Sequence, residues 1–157
     1  MQQNTVHRKR TARSLTALGA TGTAAAAGLL LGAVPAHAAT LQPAVFPDHV
    51  EFLGNESNAN VSGPVKLSIY PDGTWNIHSQ TRNGRPAFRY VHWTCVVTVE
   101  VGSSSTATSV STSVVKIRSK KSHTFDETGA NTNLATNYNA ITNPSFTRVD
   151  CDIHFGK

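Results

Sequence analysis

The sequence predicts a mainly β fold, a small antiparallel sandwich or barrel-like sheet, and three observations carry that reading. Apolar and polar residues alternate in run after run, the period-two pattern of half-buried strands. Pro, Asp, Asn and Gly punctuate those runs where turns are needed. The two cysteines, Cys95 and Cys151, each fall on the apolar side of their own alternating run. One disulfide can therefore join them on the core face.

Taken in chain order, the first 38 residues stand apart from the fold. Arg8, Lys9, Arg10 and Arg13 make a basic head, and no acid precedes Asp48. Ser14 to Pro35 carries no charge, Leu29-Leu30-Leu31 lies in an Ala/Gly-rich run, and Ala36-His37-Ala38 puts small residues at positions −3 and −1. Basic head, apolar middle and A-x-A end predict a cleavable signal peptide over 1–38, with Ala39 as the new first residue. The stretch is long enough to span a bilayer, but its Ala, Gly and Thr content makes a poor membrane helix. Lys9-Arg10 lacks the paired arginines of a twin-arginine signal, so general unfolded export is the expected route. No cysteine follows the cleavage site for lipid attachment, and no apolar tail closes the sequence. The prediction is a secreted, extracellular product with no membrane anchor after processing.

Residues 39–48 read as an N-terminal extension and 49–157 as a single β-rich domain. The 119 residues from Ala39 onward suffice for one core, though a covalent link helps at this size. Val65, Leu67 and Ile69 alternate along one strand, Pro71-Asp72-Gly73 turns the chain, and Trp75 and Ile77 mark the returning strand. This is the clearest hairpin in the sequence. A second turn, Arg82 to Pro86, leads into the longest strand, Ala87 to Val101, with Val91, Trp93, Cys95, Val97 and Val99 on one face. Gly102 to Ser105 reads as a flexible linker, Val110 to Arg118 as one β-rich run, and Ser122 to Asp126 as a short strand. Leu134, Tyr138 and Ile141 fall at helical spacing, so one short helix is expected near 131–142. Thr147, Val149, Cys151, Ile153 and Phe155 alternate in a closing strand. An even cysteine pair in an exported chain predicts a bridge, and closing a loop of this length stabilises by about 4 kcal/mol in the chain-entropy model.

Charge excludes one class of partner. Four of the fourteen Lys and Arg residues belong to the signal, which leaves ten against nine acids. The high pI of the whole sequence therefore carries no argument for nucleic acid, and no nucleic-acid partner is expected.

The richest local chemistry lies in Arg85, Phe88, Arg89, Tyr90 and His92. If Phe88, Tyr90 and His92 share an exposed face, they form an aromatic platform with cations beside it, suited to sugar rings or an anionic polymer. The competing reading packs Phe88 and Tyr90 beneath the Leu134/Tyr138 segment as a second core layer. Lys116, Arg118, Lys120 and Lys121 make a second basic run, either a polymer-docking site or a solvated strand edge. The histidines outside the signal, His49, His78, His92, His123 and His154, show no H-x-H or H-E-x-x-H spacing. With no C-x-x-C either, no metal or other cofactor is expected. No G-x-S-x-G elbow occurs. Asn55-Glu56-Ser57 and Asn60-Val61-Ser62 fit the glycosylation sequon and read as loop residues.

Val50-Glu51-Phe52, Ser62-Gly63-Pro64-Val65-Lys66-Leu67 and Asp72-Gly73-Thr74-Trp75 resemble framework segments of small secreted actinobacterial-type proteins of unknown function. The resemblance spans Val50 to Ile141 and implies a hairpin framework, with no catalytic residue. Secreted subtilisin inhibitors of the same bacteria share size, signal peptide and β content, but have four cysteines, and no reactive-site loop is framed here. The functional expectation is a non-catalytic binding or interaction domain at the cell envelope, its partner an envelope polysaccharide or another protein. The alternative is a small hydrolase with a His/Asp site assembled across strands.

Overall fold

The computed structural model describes residues 40–156; the predicted signal peptide and its cleavage site lie outside the described residues. Nine strands and two short helices follow in order: β1 Thr40–Val45, β2 Val50–Asn58, β3 Val61–Ile69, β4 Thr74–Asn83, β5 Arg89–Val101, β6 Ser104–Ser111, β7 Val115–Ile117, β8 Ser122–Ala130, α1 Thr132–Thr136, α2 Tyr138–Ile141 and β9 Thr147–Phe155. They form one curled antiparallel sheet, a half-barrel, in the order β6-β5-β9-β1-β2-β3-β4-β8, with β7 paired to β5. β1 is the joint of the curl. Its Thr40 and Leu41 pair with β9, while Gln42 to Val45 pair with β2.

The inner face is built by the alternation seen in the sequence. Val65, Leu67, Ile69 and Ile77 from the β3–β4 hairpin are buried, as are Val91, Trp93, Val97, Val149 and Ile153 from β5 and β9. Leu134 and Ile141 add the helices' contribution to the same core. Each such aliphatic side chain contributes about 1.5–3 kcal/mol by leaving water. Trp93 crosses the interior, and its Nε1 donates to Thr81 Oγ1 on β4 at 2.8 Å. Thr81 Oγ1 in turn shares a 2.8 Å hydrogen bond with Ser79. Cys95 and Cys151 are direct cross-strand partners on β5 and β9, and their disulfide is fully buried. The bridge lies on the core face as expected, and it rivets two neighbouring strands.

The turn at Pro71-Asp72-Gly73 also forms as its residues require. Gly73 has φ 82°, its N–H donates to Tyr70, and Asp72 Oδ1 accepts from the Thr74 N–H at 2.8 Å. A Cβ at Gly73 would lie 2.4 Å from the Asn131 carbonyl oxygen, so the turn is also a seat for the start of α1.

Several sequence expectations need correction. The segment 39–48 is not an extension: Thr40–Val45 is β1, and Leu41 is buried. A six-residue strand containing Pro43 carries too little periodicity to be read. Gly102 to Ser105 is no linker, because Gly102 at φ 63° makes a tight turn and Ser104 already begins β6. The run 110–118 is broken at Thr112, whose N–H donates to the Trp93 carbonyl while its Oγ1 accepts from the Trp93 N–H. The strand expected over 122–126 continues to Ala130. Asn55-Glu56-Ser57 lies on β2, where a polar run hides the strand. One helix becomes two, divided at Asn137.

Because the sheet is antiparallel, its turns segregate. The β2–β3, β4–β5 and β7–β8 turns and the end of β9 share one end, where the Asn58 side-chain amide donates to the Ile153 carbonyl at 2.9 Å. The β1–β2, β3–β4 and β5–β6 turns share the far end.

Candidate binding site

The first of these ends collects cations. Arg82, Arg85 and Arg89 come from the β4–β5 segment, and Lys116, Arg118, Lys120 and Lys121 from β7 and the turn after it. Pairing of β7 with β5 sets Lys116 opposite Tyr90 and Ile117 opposite Arg89. Two basic segments that are separate in sequence thus become one surface. No Asp or Glu occurs from 73 to 99 or from 101 to 125.

Like charges are held together here by backbone-directed hydrogen bonds. Asn83, fully buried, donates from Nδ2 to the Ala87 carbonyl at 2.8 Å and the Ile117 carbonyl at 3.1 Å, and its Oδ1 accepts from the Arg85 N–H at 2.9 Å. Its own N–H donates to the Lys121 carbonyl. Ser119 Oγ donates to the Arg85 carbonyl at 2.9 Å, and Lys120 Nζ donates to the Gly84 carbonyl. The β2–β3 turn, with Ala59 and Asn60 at positive φ, joins the same network. Gly84 N–H donates to the Asn60 carbonyl and Arg85 Nε to the Ala59 carbonyl at 2.6 Å. One buried asparagine thereby fixes both cationic segments in register.

Between these turns and the end of β9 lies an open cleft of about 320 Å³, lined by Ala59, Arg85, Phe88, Arg89, Tyr90, Phe155 and Gly156. Phe88 is 48% exposed and Tyr90 37% exposed, so neither is a second-layer core residue. Their rings meet edge to face at 5.7 Å, and the Lys116 ammonium sits 4.1 Å from the Phe88 centroid. The same cation stands 5.8 Å from the Tyr90 centroid, so Lys116 caps both rings, and Phe155 is the aromatic of the cleft with no cation over it among the described residues. Phe155 continues the apolar alternation of β9, yet it is 40% exposed where the strand overruns the core. Asn83 passed as an ordinary turn residue; an Asn-Gly pair ending an alternating run was the available signal.

A larger depression, about 440 Å³, lies on the outer sheet face among Leu53, Asn55, Pro64, Lys66, His78 and Gln80. Its one cation, Lys66, is already paired with Glu51 at 2.8 Å. No set of free charges converges there, so the smaller cleft is the stronger candidate.

The histidines sort into different settings. His92 and His154 are cross-strand partners on the outer face of β5 and β9, with rings stacked at 5.4 Å and 24° between planes. His92 Nδ1 is buried with no hydrogen-bond partner. Burial, then the neighbouring His154, pulls the His92 pKa below the ordinary imidazole value. At the far end His49 has Nδ1 2.7 Å from Asp48 and Nε2 3.3 Å from Glu51, and it stacks against Phe46 and Tyr70. The bond to Asp48 raises its pKa against the opposing effect of burial, with Glu51 adding to the rise. Both of its nitrogens are engaged, so it is a clasp on the β1–β2 turn. His78 Nδ1 lies 3.8 Å from Asp126, both well exposed. Asp72 meets no histidine among the described residues; its Oδ1 caps its own turn by accepting from the Thr74 N–H. Among the described residues no group of three His, Cys, Asp or Glu side chains is placed to hold a metal.

No protein family matches this chain, and neither a curated protein nor a solved structure gives a match. Among the described residues no helix is long and apolar enough to cross a membrane.

Proposed function

We propose that this chain is a secreted, non-catalytic binding domain whose basic end takes an anionic polysaccharide of the cell envelope. The observation that carries the reading is the convergence of two basic segments around a cleft with aromatic walls: seven of the ten Lys and Arg residues from Ala39 onward gather there. Clustered cations focus potential and attract polyanions. Aromatic rings supply flat apolar area for sugar rings. The signal-like first 38 residues and the buried disulfide support an extracellular setting.

Dextran sulfate and neutral dextran share a backbone and differ in charge, so retention on the two reports the claimed chemistry. The protein should bind dextran sulfate, more weakly as salt rises through about 0.15 M, and ignore dextran. Lys116→Glu with Lys121→Glu should weaken binding at least tenfold, and Tyr90→Ala a few-fold. None of these should shift the thermal midpoint by more than about 0.5 kcal/mol of stability, the ordinary range for exposed sites. Equal behaviour toward both dextrans would retire the proposal.

A further inference from the structure

The cleft's outer wall is the end of β9, and little holds that end in place. Phe155 is 40% exposed, and beyond the His154 pairing the strand keeps Phe155 opposite Val91 and a 3.1 Å hydrogen bond from the Gly156 N–H to the Tyr90 carbonyl. Val114 rests against Gly156 from the β6–β7 segment. The His92–His154 stack lies on the outer face, one residue pair before this wall.

That stack depends on a neutral His92. With Nδ1 buried and unpartnered, the neutral ring keeps its proton on Nε2 and leaves Nδ1 as a bare acceptor. Protonation puts an N–H on Nδ1 with no acceptor, in a buried spot, beside a second imidazole. The groups facing the ring offer no rescue. From β5 they are Tyr90 and Thr94; from β9, His154 opposite and Asp152 diagonally, opposite Thr94; from β7, Lys116, opposite Tyr90. Asp152 forms no ion pair with either ring among the described residues, and Lys116 adds like charge.

We propose that the His92–His154 stack is an acid-sensitive latch: protonating His92 separates the end of β9 from β5, moves Phe155 and Gly156 out of the cleft wall, and releases the bound polyanion. The ligand part of this inference rests on the function proposed above. The lowered His92 pKa agrees with it. The latch is seated above the ordinary imidazole value, near pH 6.5, and opens as pH falls through the lowered one. Extra positive charge also favours a polyanion, but His92 is about 7 Å along β5 from Tyr90 of the cleft, and through water at a Debye length near 8 Å that gain is under about twofold. Loss of an aromatic wall outweighs it.

The test uses NMR on the ligand-free protein from pH 8 to 4.5, following the His92 ring and the Gly156 amide, together with dextran sulfate affinity across the same range. Sulfate esters keep their charge throughout, so the probe itself does not titrate. The Gly156 amide should lose protection with the midpoint of His92, and affinity should fall about tenfold. His92→Phe keeps a stacked ring without a proton and should abolish both changes; His154→Gln should move the midpoint up in pH. A Gly156 amide that stays protected while His92 titrates overturns the latch. An opening that leaves dextran sulfate affinity unchanged overturns its coupling to the cleft. A protein that binds no dextran sulfate at any pH sinks the function reading, while Gly156 still decides for or against the latch.

Discussion

At the far end of the sheet His49 gives both ring nitrogens to carboxylates, whereas near the basic end His92 buries one nitrogen with no partner at all. The first environment favours the imidazolium and the second the neutral ring. The difference follows from how the chain sorts its charges. Asp48, Asp72 and Glu100 sit at or beside the far turns, and seven of the cations gather at the other end. From Ala39 onward ten Lys and Arg residues nearly balance nine acids, and that balance conceals a polarised arrangement. At the far end His49 is met by the carboxylates of Asp48 and Glu51; at the basic end the cations have like-charged neighbours, and buried hydrogen bonds from Asn83 hold their segments together.

The largest expected effect strikes both ends together. Replacing Cys95 and Cys151 with alanine should cost about 2–5 kcal/mol, read as a drop in denaturation midpoint. A double variant that melts with the wild type would show that the rivet between β5 and β9 is dispensable. Next comes a matched pair, one residue from each end. Gly73→Val meets a positive φ and the Asn131 carbonyl, and should destabilise by about 1–3 kcal/mol without altering dextran sulfate affinity at temperatures where the protein is folded. Asn83→Ala strands two carbonyls and one N–H, costs a similar 1–3 kcal/mol, roughly, and should also weaken dextran sulfate binding. If the two variants lose affinity equally, the ends do not divide labour as argued.

The smallest effect is a matter of sign. His49 is stabilised as the cation, so its contribution is full below the ordinary imidazole pKa and fades as pH rises through the raised value. His49→Gln should flatten the decline in thermal midpoint between pH 6 and 8. Parallel slopes for variant and wild type would remove the clasp from the account.

What was legible in the sequence was whatever alternation reports. Val65 to Ile77 and Val91 to Val99 announced strands because one face is buried and the other is not. β1 and the outer half of β2 stayed hidden, since Pro43 and the polar run from Asn55 to Asn58 break or mute that rhythm. Arg85, Phe88, Arg89 and Tyr90 stood out by composition, but alternation cannot say whether an aromatic on the outer face is covered. That depended on where the helices went, and they joined the inner core through Leu134 and Ile141. His92 was noticed, while its pairing with His154 was not, because a cross-strand partner depends on strand order. The meeting of 82–89 with 116–121 was invisible for the same reason.

The position of β9 has a consequence in time. The last strand in sequence lies in the middle of the sheet, between β1 and β5, and Thr40 finds its partner at Asp150. Until residues 147–155 arrive, the β1–β4 and β8 portion and the β5–β7 portion are two separate sheets, each with a bare inner edge. Local hairpins can form early, but joining them waits for contacts that span nearly the whole described chain, and such closure is slow. Any interruption before β9 docks leaves two unpaired edges open to neighbouring chains. Cys151 arrives with that strand, so oxidation to the native pair records the moment the two halves become one sheet.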